Sequence, residues 1–303
     1  MTMRDQVREE VQLYAARSGM TLGEIARQMG YARHSVLQFC SQAKYGDSDG
    51  DALASRIREF IAANPPEAPQ APGKLYCTKN VAIIDEQIRN VQRGHWALIY
   101  GPPGTQKSFV FEYRMAEAFR ESLEPRVVYL YAHQDMAPLA LLREVGLGVG
   151  AYLSNSRHQM IRSILRVLRR RKSPLALIID EAQHLAKRLD TLEVLRELGD
   201  RGRIGLLVAG HDNVEDLFRP QRGGYLEQWR SRIEQHRRRL PGLSETEARE
   251  ILAAECGQLS ERTVRFFIDG SNVQDERGKS TYLSARRLFN SIRDFKEQRA
   301  KAS

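Results

Sequence analysis

The sequence has little of what exported, membrane-spanning or metal-stapled proteins rely on. Among 303 residues there are only three cysteines, Cys40, Cys77 and Cys256, far apart and without a CxxC pair. That pattern supports neither a disulfide framework nor a zinc site, and it suits a reducing compartment. No run of 18 apolar residues exists, and the start, Met1-Thr2-Met3-Arg4-Asp5, leads into charged residues where a signal peptide would be apolar. A cytoplasmic protein that does not cross a membrane is expected. Acid is the scarcer charge: 38 Asp plus Glu face 47 Lys plus Arg, a net charge of 47 − 38 = +9. The excess favours polyanionic partners, although solubility alone also accounts for it. With 42% hydrophobic residues the chain is not disordered throughout, and its length gives two or three domains with a substantial core.

Proline is sparse except at residues 64–73, N-P-P-E-A-P-Q-A-P-G, which hold four of the eleven. Fixed φ and missing amide donors make this stretch a semi-rigid extended linker. It separates a head, residues 1–63, from a body. In the body, apolar runs at 96–100, 127–131, 175–179 and 204–209 alternate with helical patterns. Runs of this kind are strands buried on both faces, and helices between them imply a parallel α/β sheet. An α/β core over 74–241 is followed by a helical end over 242–303, where Ala285, Leu288, Phe289, Ile292 and Phe295 recur at helical spacing. Strand signals stop after Pro241.

Directly after the first strand comes Gly101-Pro102-Pro103-Gly104-Thr105-Gln106-Lys107-Ser108, and a helical pattern follows over 109–120. Glycines permit a tight loop whose amides converge on phosphate oxygens. Lys107 neutralises them, Ser108 can ligate Mg2+, and the new helix adds its positive end. The stretch resembles a Walker A motif, with Gln106 where glycine usually precedes the lysine. A side chain there is expected to crowd or tilt the loop and so to favour binding over fast turnover. Some seventy residues on, Leu175-Ala176-Leu177-Ile178-Ile179-Asp180-Glu181 is an apolar strand ending in two carboxylates. Alone this is common at a loop. Beside a phosphate loop it reads as a Walker B, Asp180 holding Mg2+ and Glu181 polarising the water that attacks ATP.

Walker A, then Asp180-Glu181-Ala182-Gln183-His184, then the strand ending Gly210-His211, then Trp229-Arg230-Ser231-Arg232-Ile233, is an order that resembles the P-loop AAA+ ATPases. The chain is most similar to the transposition regulators typified by phage Mu B protein, TnsC and IstB. The resemblance implies a parallel sheet with a helical lid and ATP held with Mg2+ between subunits. It also implies self-assembly into a ring or filament on double-stranded DNA, target selection, and stimulation of a transposase. It places a sensor on His211, where Asn is usual, and an arginine finger for a neighbouring subunit on Arg232, with Arg230 in reserve. A second sensor falls on Arg287 of Ser284-Ala285-Arg286-Arg287, Arg286 being a close second. A helicase loader acting in replication would share every ATP-site residue. Gln106 and His211 also admit an ATP-gated scaffold with little hydrolysis, and a transcription factor is a third alternative.

In the head, Thr21 to Phe39 read as a helix-turn-helix. Thr21 and Glu24 are spaced to cap the first helix, Gly30 supplies φ > 0 at the turn, and Leu22, Ile25, Met29, Val36 and Leu37 form the core. Arg33, His34, Ser35 and Gln38 would then face the major groove, with Arg27 and Lys44 on phosphates. Similar bundles also dock proteins. Between the two Walker motifs, Ile161, Ile164, Leu165 and Leu168 make an apolar stripe among Arg162, Arg166, Arg169, Arg170, Arg171 and Lys172. Such charge is either solvated or matched by an anion. Family resemblance places Arg157 and His158, in the loop before that helix, on the DNA. Arg293, Lys296, Arg299 and Lys301 extend a basic tail.

Overall fold

The structure, a computed structural model, describes residues 2–41, 47–67, 69–121, 126–218, 226–274 and 281–302. The head carries α1 (Met3–Ser18), α2 (Leu22–Gln28), α3 (Arg33–Cys40) and α4 (Asp47–Ala63). Thr21 caps α2 through a reciprocal box with Glu24, and Gly30 takes φ +75° between α2 and α3. Val36, Phe39 and Cys40 turn inward with Ile25, Ala26 and Met29. Leu37, expected in the core, is 36% exposed, because the inward stripe of α3 runs through 36, 39 and 40. Lys44 lies outside the described residues.

Residues 64–67 and 69–73 carry no helix or strand. The body follows as α5 (Lys79–Gln92), β1 (Trp96–Tyr100), α6 (Lys107–Glu121), β2 (Val127–Tyr131), α7 (Pro138–Val149), α8 (Arg157–Arg170), β3 (Leu175–Asp180), α9 (Leu189–Gly202), β4 (Ile204–Gly210), α10 (Glu227–Ile233) and β5 (Arg237–Arg239). The five strands form one parallel sheet in the order β2-β3-β4-β1-β5. Successive side chains of a strand point to opposite faces, so the apolar runs supply two cores at once. Trp96, Leu98, Leu177, Ile179, Leu206 and Val208 pack under α7, α8, α9 and α10. Ala97, Ile99, Ala176, Ile178, Leu207 and Ala209 pack under α5 and α6. The four anticipated strands are present; β5 is an addition, three arginines drawn into the sheet by pairing with Leu98–Tyr100.

The C-terminal part holds α11 (Glu245–Cys256), α12 (Glu261–Ser271), β6 (Asn272–Gln274), β7 (Thr281–Leu283) and α13 (Ala285–Ala302). The expectation that strands end at Pro241 is corrected here, because β6 and β7 pair as an antiparallel ribbon that leads into α13. Among the described residues no helix is long and apolar enough to cross a membrane.

Candidate nucleotide site

The loop between β1 and α6 sits at the C-terminal end of the sheet, where β1 lies between β4 and β5. Lys107 begins α6, and its side chain folds back into the loop. Nζ donates to the carbonyls of Gly101 (2.9 Å) and Pro102 (3.2 Å) and to the Thr105 hydroxyl (3.1 Å). Burial pushes its pKa down to about 8 even though Asp180, Glu181 and Asp212 pull the other way. Ser108 Oγ donates to Asp180 Oδ2 at 2.6 Å, and the Tyr129 hydroxyl reaches the same oxygen at 3.2 Å. Burial, helped by the Asp180 charge, holds the Tyr129 hydroxyl protonated. Asp180 is fully buried at the end of β3.

Gln106 keeps the left-handed φ, +69°, that a glycine would adopt freely. Its amide oxygen accepts from the Thr78 hydroxyl at 2.8 Å, and Thr78 is the residue that caps α5. The side chain is therefore anchored to α5, although it still lines the cleft. Gly104, at φ +81°, cannot be replaced cheaply: a Cβ there would lie 2.1 Å from Ser284 Oγ.

The second half of the site is a hydrogen-bonded chain that sequence reasoning missed. Glu181, itself left-handed at φ +53°, accepts a short bond from the Gln183 amide and lies 3.5 Å from His211 Nε2. The other end of the Gln183 amide accepts the backbone N–H of His211 at 3.3 Å. Gly210 leaves room for this, since a Cβ there would sit 2.3 Å from Gln183 Oε1. The turn Ala182–Lys187 carries Gln183 back over Glu181; only that turn, not the spacing, would have revealed it.

The C-terminal part closes over the loop. Tyr282 donates its hydroxyl to the Pro103 carbonyl (2.9 Å), and the Ala285 amide donates to the Gly104 carbonyl (3.0 Å). Between loop and α13 lies a cleft of about 810 Å³, lined also by Tyr76, Glu181, His211, Arg286 and Phe289. The rings of Tyr76 and Phe289 stand 5.8 Å apart. The Tyr76 hydroxyl bonds Glu255, and burial together with that carboxylate pushes its pKa up to about 12. Of the two second-sensor candidates, Arg286 lines the cleft, whereas Arg287 turns toward the Asn272 carbonyl at 3.4 Å. They are successive residues of α13, about 100° apart around the helix, so only one can face the loop.

The remaining candidates lie elsewhere. Arg232, on α10, is paired with Asp200 and stacked 4.6 Å over the Trp96 ring, outside this chain's own cleft. Arg230 is half-buried on the same helix. Arg33, His34 and Gln38 are exposed on α3, and Ser35 is half-buried. Arg157 and His158 are not in a loop: Ser156 caps α8 and they form its first turn.

Residues 91–218 match the family model described as an AAA domain. The fold is that of the P-loop AAA+ ATPases. Among solved structures the chain is similar to Cdc6p from Pyrobaculum aerophilum, at 18% identity and TM-score 0.50, over 78% of this chain and 65% of that one. It is also similar to the Orc1 protein of Aeropyrum pernix in complex with DNA, at 18% identity and TM-score 0.51, over 79% and 64%. The chain thus spans a little under two thirds of the length of either, and the likeness is one of fold. No curated protein matches it.

Proposed function

We propose that the protein is an ATP-dependent DNA-binding ATPase that assembles on duplex DNA to select a target and stimulate a partner transposase. Lys107 carries the nucleotide reading. A buried ammonium with only neutral oxygens as hydrogen-bond partners, beside the Ser108–Asp180 pair and under a lid, is suited to an anionic oxygen. The cleft separates chemistries as a nucleotide requires, with phosphate donors at the loop and two aromatic rings at Tyr76 and Phe289 for a base. Magnesium fits the site: Ser108 and Asp180 offer hard oxygens, and no group of three or more His, Cys, Asp or Glu exists among the described residues to bind it alone. It would take its other ligands from phosphate and water. Bound there, it would neutralise phosphate charge.

Glu181 orients the attacking water, His211 senses the terminal phosphate, Arg286 closes from the lid, and Arg232 is offered to a neighbouring subunit once Asp200 lets it go. The +9 charge and the exposed Arg33, His34 and Gln38 of α3 support the DNA half of the reading. Calorimetric titration with Mg-ATP, followed by phosphate release with and without duplex DNA and transposase, tests it. Saturable uptake and DNA-stimulated release are expected; no uptake by folded protein would end the reading. Stimulation by a replicative helicase and indifference to transposase would move the protein to helicase loading. One observation favours a slower variant of the same function. Gln183 and His211 hold Glu181 back, so an ATP-gated scaffold with little turnover is the second reading, and basal phosphate release near background would select it.

A further inference from the structure

Helix α8 buries Met160, Ile161, Ile164, Leu165, Val167 and Leu168 against the sheet and neighbouring helices, and leaves Arg162, Arg166 and Arg169 exposed. These three recur at i, i+4 and i+7, so they share one face over about 10 Å of helix. None of them makes a salt bridge with a described residue. Their neighbours do: Arg170 pairs with Glu9, Arg201 with Glu197, and Arg196 with Glu193 and Asp200. The contrast is informative, because the surrounding arginines are held in close ion pairs, whereas on this face Arg166 feels Glu9 only at longer range. The helix dipole accounts for cations in the last turn, at Arg169, but not for Arg162 and Arg166 further back. Like charges four residues apart repel unless an anion intervenes.

The face is also concave. Arg162, Arg166 and Arg169 line a basin of about 560 Å³ with His158, Arg170 and Arg201, and no carboxylate lines it. It lies beside the head. Arg8 of α1 donates to the Phe39 carbonyl at the end of α3 (2.7 Å) and to Asp5 (3.1 Å), and the Asp5 carboxylate also feels Arg170. The C-terminal ends of α3 and α8 therefore both lie against the first half of α1.

We propose that the outward face of α8, Arg162, Arg166 and Arg169, is a track for the phosphodiester backbone of duplex DNA, continuous with the surface of α3. It rests on the DNA-binding reading above and assigns that reading a site on the body, apart from the first turn of α8 that the family resemblance singles out. One strand presents a charge every ~3.4 Å along the axis, so about 10 Å of helix meets about three phosphates. Guanidiniums on exposed stems read charge and not base edges, so the contact is independent of sequence.

The test is anisotropy of a labelled duplex of arbitrary sequence with the full chain across a salt series. The variant is Arg162→Gln/Arg166→Gln/Arg169→Gln, and Arg56→Gln/Arg120→Gln/Arg265→Gln is a control of equal charge. The three stripe side chains are exposed, and Mg-ATP uptake checks that each protein is folded. Loss of three phosphate contacts lowers the slope of log K against log salt by about 2.7, and binding near physiological salt weakens at least tenfold. The control is expected to shift the slope by less than about one. An unchanged slope in the stripe variant, or an equal loss in the control, overturns the track while leaving DNA binding intact. A wild-type protein that ignores duplex altogether overturns the reading beneath it, and the track with it. If poly-glutamate binds wild type as well as duplex does and the variant loses both alike, the face serves an acidic protein and the proposal is wrong.

Discussion

Lys107 is the residue whose surroundings say most. With its pKa near 8 in place of 10.5, the free protein has released this proton over a window where a phosphate neighbour would call it back. Below about pH 8 both free and bound forms carry the proton, and binding is proton-neutral. Above about pH 8 the free form has lost it, so binding takes one up and affinity falls as pH rises. Calorimetry of Mg-ATP in buffers of different ionisation enthalpy should show that uptake, and Lys107→Ala should abolish binding. Gln183 gives a second expectation. Gln183→Ala removes the amide that restrains Glu181 and ties it to β4, so basal phosphate release should rise several-fold with ATP affinity little changed. A fall in release would mean that the amide positions the carboxylate productively.

Helices and strands were legible wherever one local rule was enough. The runs at 96–100 and 175–179 are apolar on both faces, as only a covered parallel strand is, and Thr21 with Glu24 announces α2 by its reciprocal cap. Breaking that box by Thr21→Ala should cost the head about 1 kcal/mol in denaturant unfolding. What stayed hidden depends on partners distant in sequence. Arg237–Arg239 have no strand character of their own and acquire it from β1, while the choice between Arg286 and Arg287 turns on which way α13 faces the loop. Leu37 missed the core for the related reason that three helices must settle their mutual rotation first. The meeting of Ser108 with Asp180 was foreseeable from residue type; the Gln183 bridge was not, because the turn Ala182–Lys187 decides it. Under the sheet, Trp229 is fully buried against Trp96 (4.8 Å between rings) and Phe218 (5.8 Å). Trp229→Ala should destabilise the body by about 3–5 kcal/mol, read as a lower urea midpoint with an unchanged slope.

Taken whole, the molecule is a head with its own apolar cluster resting on the body. The seat is small. Leu13 of α1 lies against Gly150, where a Cβ would come within 2.9 Å of it, Arg17 sits 4.3 Å over the Phe119 ring, and Glu9 pairs with Arg170. Leu13 is absent from the head's own cluster, so Leu13→Lys should unseat the head without unfolding it. The expected signs are faster proteolysis within residues 64–73 and unchanged Mg-ATP uptake. At the far edge of the sheet the chain ends its ladder with Arg237, Arg238 and Arg239, tethered to Glu215, Glu86 and Asp212. Three bulky cations on so short a margin make a poor template for another backbone. A contact between copies made by strand addition at this margin is therefore closed, and whatever meets this edge must do so through side chains.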